Sequence, residues 1–111
     1  MTTIEIRKDK TGAYRQIVCM GHADYAEKGE DILCAAISVL VISAMNALEG
    51  LAGEKFDETA NEEDGFMRFD FSDQVPLQEK SVFLLDSLVY SLEALSREYG
   101  KEFLQVHFKE V

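Results

Sequence analysis

From Ile32 to Leu48 the chain runs for seventeen residues without a charge. No other stretch constrains the fold as tightly. Its alanines, leucines and spaced β-branched residues suit a helix, and its apolar side chains fall on every side of that helix rather than along one stripe. The run is slightly short for a membrane span and contains Ser38, Ser43 and Asn46, so it reads as a buried helix of a soluble domain. One face of a sheet cannot cover such a helix completely. A second helix or another subunit must cover the rest.

The flanking segments supply the sheet. "TTIEIRK" alternates Ile4 and Ile6 with polar residues, as a half-buried strand does. "DKTG" is a turn signal and "AYRQIVCM" a second strand, so residues 2 to 20 read as a hairpin. After a loop, Asp31 can cap the apolar helix, which runs to about Leu51 with Gly53 as its stop. "KFDETA" and "FMRFDF" form a second hairpin around "NEEDG". Pro76 suits the first turn of a second helix that ends before Gly100. Its main stripe is Leu84, Leu88, Leu92, Leu95 and Tyr99, with Val82, Leu85 and Val89 beyond it as material for a dimer contact. "EFLQVHF" closes the chain as a strand, with Leu104, Val106 and Phe108 on one face and His107 on the outer one. The order is ββαββαβ. It predicts one α+β domain over residues 1–111, a two-layer sandwich with two long helices on one face of a mixed or antiparallel sheet.

Charge narrows the function. The formal net charge is −10, which argues against direct binding of nucleic acid, because phosphates call for a basic surface. Ordinary solubility accounts for an acidic surface, and a basic protein partner is compatible with it. No apolar run follows the charges of "MTTIEIRKDK", so neither a signal peptide nor membrane attachment is expected. Cys19 and Cys34 make no disulfide scaffold without a secretion signal. The expected setting is the cytoplasm.

The chemistry concentrates in "MGHADYAEKGEDILCAAIS", residues 20 to 38. With Asp31 as cap, Cys34 is the third helical residue, beside the unpaired amides of the first turn. The helix dipole there favours an anion by roughly 0.3–1 kcal/mol, at most about 0.7 of a pKa unit. A thiol of pKa ~8.5 would rise from about 3% to about 14% thiolate at pH 7, and the negative Asp31 would oppose even that. A competent nucleophile needs an imidazole close by, and His22, at the end of the second strand, is the candidate. Gly21 and Gly29 frame the intervening loop, where they permit sharp turns or close approach to a ligand. Tyr25, its one large aromatic, reads as a loop anchor or a lid residue. Ser38 lies one turn after Cys34 on the same helical face. It either bonds a carbonyl one turn back or donates near the sulfur. Few apolar anchors in residues 23 to 30 suggest a gate.

This stretch resembles the ribosomal-processing cysteine protease family called Prp. The shared pattern is Gly21-His22-Ala23, Tyr25, Gly29, Asp31, Cys34-Ala35-Ala36 and Ser38. Length and element order agree, so the resemblance spans essentially the whole chain. It implies a Cys34–His22 dyad and a homodimer with a flexible loop over the site. It also implies a substrate: a large-subunit ribosomal protein, the twenty-seventh in the naming series, that carries a removable N-terminal extension. No cofactor is implied. Gly21, Tyr25, Gly29, Asp31 and Ser38 are expected to support the site or touch the substrate.

Two other readings compete. Cys19, His22, Cys34 and His107 could be metal ligands, but only Cys19-x-x-His22 has regular spacing, and no metal is expected. A non-catalytic ribosome-assembly or protein-binding module would leave Cys34 and His22 merely packed.

Overall fold

A computed structural model describes residues 1–21, 32–61 and 63–111. The elements are β1 (Thr2–Lys8), β2 (Tyr14–Gly21), α1 (Ile32–Gly50), β3 (Phe56–Asn61), β4 (Phe66–Phe71), α2 (Glu79–Tyr99) and β5 (Leu104–Glu110). This is the expected ββαββαβ order. The five strands form one sheet in the order β3-β4-β2-β1-β5. Only β1 and β5 run parallel; every other pairing is antiparallel.

The register aligns side chains into rows on one face. Ile4 stands opposite Cys19 and Val106, and Ile6 opposite Ile17 and Phe108. Ile17 is opposite Phe69, and Phe69 opposite Glu58. Apart from Phe108, which is exposed, the apolar members of this face pack with α1 and α2 into a single core. From α1 the core takes Leu33, Ile37, Val41, Met45 and Leu48 at helical spacing. By length and composition α1 could cross a membrane, but here one side of it is core. Its other side leaves Ile32, Val39 and Ile42 exposed.

The opposite sheet face is polar. Arg7 Nη1 donates to Gln16 Oε1 at 2.7 Å, Gln16 Nε2 donates to Asp70 Oδ1, and Arg68 Nε donates to Asp70 Oδ2 at 2.9 Å. This ladder crosses β1, β2 and β4. His107, opposite Glu5, is exposed on the same face as expected.

Two expectations for α2 are corrected. Pro76 is not in its first turn: the cap is Gln78 and the helix begins at Glu79. The chain is held extended at Gln78 because its N–H donates to Glu54 Oε2 at 2.9 Å and its side chain donates to Ala52 O at 2.7 Å. Ser81 Oγ also donates to Glu54 Oε2. Glu54, just past the end of α1, thus supplies the cap that Gln78 does not. Second, Leu85 and Val89 do not lie beyond the packing stripe. They are buried with Leu88 and Leu92, whereas Leu84, Leu95 and Tyr99 are partly buried. Helix α2 is rotated so that Phe83 and Tyr90 are the apolar residues left outside.

Candidate active site

Helix α1 covers only part of the sheet, and its first four turns overhang a groove of about 510 Å³. Cys34, third in the helix and half-buried, lines it. Ser38, Ile42 and Asn46 follow on the same wall at four-residue intervals, as helical geometry requires. Cys19 and Thr2 line it from the sheet, and Phe66, Met67 and Phe69 from β4.

Gly21 ends β2 at this groove, opposite Thr2. Its φ is +84°, and a Cβ built there would lie 2.5 Å from the Met1 carbonyl oxygen. Only glycine fits, for both reasons. The carbonyl is backbone and cannot swing aside as a flexible side chain would.

Three of the site residues expected from the sequence, Gly21, Cys34 and Ser38, therefore meet at one cavity. His22, Tyr25, Gly29 and Asp31 lie outside the described residues, as does the whole segment expected to act as a gate. The two thiols sit in contrasting places. Cys19 is buried in the core, and burial pushes its thiol up to about 12, so it stays protonated at neutral pH. Cys34 sits at a helix start on the groove wall, where orphan amides can stabilise an anion. The four-ligand metal reading fails on geometry. Cys19 faces the helices and His107 the opposite side of the sheet.

The groove also has a wall that sequence reasoning missed. Glu58 and Ala60 of β3 line it beside the β4 aromatics. No local motif marks these residues. They arrive because β4 inserts between β3 and β2.

An apolar trough of this size with a cysteine at a helix N-terminus suits acyl transfer on an extended peptide. Comparisons with known proteins agree. The family model for "Cysteine protease Prp" matches residues 1–104. The ribosomal processing cysteine protease Prp of Bacillus subtilis (strain 168) is 31% identical over 101 residues, which are 89% of this chain and 90% of that protein. Its Staphylococcus aureus (strain Mu50) counterpart is 28% identical over 109 residues, 98% of this chain and 100% of the relative. The crystal structure of the S. aureus protease with a covalently linked product peptide matches at a TM-score of 0.88 and 28% identity, covering 98% of this chain and 100% of that one. A Streptococcus mutans protein matches at 0.87 and 29%, covering 100% of this chain and 96% of that one.

Proposed function

This chain belongs to the cysteine protease Prp family, and from that premise we propose that it removes the N-terminal extension of a large-subunit ribosomal protein, the twenty-seventh in the naming series. The chain is a cysteine peptidase of the ribosomal-processing kind. The observation that carries the proposal is the shared groove. Cys34 opens onto it from a helix start, and Gly21, bonded directly to His22, ends its strand there.

In the proposed mechanism Cys34 is the nucleophile and His22 its base. The Cys34 thiolate attacks the scissile carbonyl carbon, and the carbonyl π electrons move onto oxygen. Backbone amides of the first turn of α1 stabilise that oxyanion. The oxyanion collapses, the C–N bond breaks, and His22 as imidazolium gives its proton to the departing amine. The acyl group is then held on Cys34 as a thioester. Water, deprotonated by His22, attacks the thioester, the C–S bond breaks, and the carboxylic acid leaves and gives its proton to solvent, which regenerates the thiolate–imidazolium pair. No cofactor takes part.

The same reading places the protein in the cytoplasm as a homodimer. Ile32 and Val39 on α1, and Phe83 and Tyr90 on α2, are exposed apolar pairs seven residues apart, each pair on one helix face. Burying such faces calls for an obligate interface of roughly 2,000 Å² or more. Sedimentation at micromolar concentration should give twice the chain mass; a monomer alone would contradict it.

The substrate reading is tested by incubating the enzyme with purified precursor and reading the product masses. One cut that releases the extension and leaves the mature protein intact is expected. An untouched precursor alongside cleavage of other peptides would overturn the substrate assignment.

A further inference from the structure

Among the described residues, every side chain that lines the groove is apolar or uncharged except one. Glu58 stands on the helix-facing side of β3, opposite Phe69 and in the row that continues through Ile17 to Ile6. It lines the same cavity as Cys34. Its neighbours on that side of β3 are Phe56 and Ala60, and Phe56 packs edge-on against Phe69 and Phe71. The carboxylate is exposed and has no ion-pair partner among the described residues. It is the groove's one charged side chain among those residues.

Its distance from the chemistry follows from the register. Gly21 and Ile17 are four residues apart on β2, about 13 Å along the strand. Glu58 is two strands further across, β2 to β4 to β3, about 9.6 Å more. Together these place Glu58 on the order of 16 Å from the Gly21 end, a span that an extended peptide covers in about five residues. A peptide held in this trough with its scissile bond at Cys34 meets the carboxylate at one fixed position. Apolar surroundings strengthen an ion pair formed there relative to open solvent.

We propose that Glu58 is a specificity-determining residue, receiving a lysine or arginine side chain of the peptide within about five residues of the bond that Cys34 cleaves. The inference rests on the reading of this groove as the peptide site, and it does not depend on which precursor is processed. A different role would place an inward-pointing charge on an edge strand only to prevent self-pairing of that strand. The two roles separate by experiment, because only one of them touches substrate choice.

The test uses a peptide library of mixed sequence with the full-length enzyme, cleavage products being read by mass spectrometry. At one position within about five residues of the cut, the parent should favour Lys or Arg over Gln or Glu by about two- to fivefold in kcat/KM, the range of an exposed ion pair. Glu58→Gln should erase that preference and Glu58→Lys should invert it towards Asp and Glu. Added salt should shrink the preference. A parent with no basic preference, or a Glu58→Gln enzyme with an unchanged profile, would overturn the proposal, including where that variant only aggregates more readily. Library cleavage that depends on Glu58, with the ribosomal precursor left intact, would support this inference while refuting the substrate assignment.

Discussion

The Met1 carbonyl oxygen occupies the space where any side chain at Gly21 would begin, 2.5 Å from the ideal Cβ position. The start of β1 and the end of β2 are thereby locked against each other one residue before His22. Gly21→Ala must push the Met1 peptide aside or abandon φ +84°, and that conformation alone costs a non-glycine residue roughly 1–2 kcal/mol. Either response moves the residue that follows. The variant should fold, because the core rows below Gly21 are untouched, and should lose at least about tenfold in kcat/KM, since small displacements of catalytic groups have large effects. Circular dichroism and peptide cleavage, measured side by side, check this. Parental activity would show that the clash is relieved without moving the site.

The two cysteines should differ in reactivity. Burial holds Cys19 protonated up to about pH 12, while Cys34 lines the groove at the start of α1. Limiting iodoacetamide near neutral pH should modify Cys34 first, as read by peptide mapping. The preference should shrink in His22→Ala, because the imidazole that activates the Cys34 thiol in the proposed dyad is then missing. Faster labelling of Cys19 would contradict the assignment of the nucleophile.

Stability should fall at both pH extremes for different reasons. Burial alone would raise the Glu54 pKa, but hydrogen bonds from Ser81 and Gln78 hold it below the ordinary value. A depressed carboxyl contributes stability above its unfolded pKa, about 4.3, and loses it as pH falls through the folded value. The Cys19 thiol shifts the other way. Its contribution is complete below the unfolded pKa of about 8.5 and is lost as pH rises towards about 12. Glu54→Gln should cost about 0.5–2 kcal/mol, the range of a lost helix cap, and should flatten the acid limb of a denaturation profile. Cys19→Ala should flatten the alkaline limb. An unchanged acid limb in Glu54→Gln would remove Glu54 from the capping role.

Much of this architecture was legible in the sequence because its signals are local. Strand alternation at Ile4 and Ile6, the uncharged apolar run from Ile32 and the turn at "NEEDG" each depend on residues within one element. Gly21, Cys34 and Ser38 were recognisable for the same reason. Glu58 was not, since its place in the groove depends on β4 pairing with β2, a contact between residues about fifty positions apart. Pro76 misled because Glu54, a residue just beyond the end of α1, sets where α2 begins. Leu85 and Val89 misled because a helical stripe can be drawn along α2 at two rotations, and only packing against α1 and β5 chooses between them.

Thr2 offers a test of the groove's floor. It is buried, and its hydroxyl has no hydrogen-bond partner among the described residues. An unsatisfied buried hydroxyl costs roughly 1–3 kcal/mol. Thr2→Val should therefore raise the melting temperature by a few degrees, corresponding to about 1 kcal/mol. A lower melting temperature would reveal that the hydroxyl is bonded in the native protein.

The Cys34–His22 dyad is tested most directly by kcat/KM on the purified precursor for the parent, Cys34→Ala and His22→Ala, with melting temperatures measured on the same preparations. Both variants should melt within a few degrees of the parent. Cys34→Ala should show no detectable cleavage, and His22→Ala should fall by about 10²-fold or more, the scale of general acid–base catalysis. Precursor cleavage by folded Cys34→Ala, or an undiminished rate in His22→Ala, would contradict the dyad.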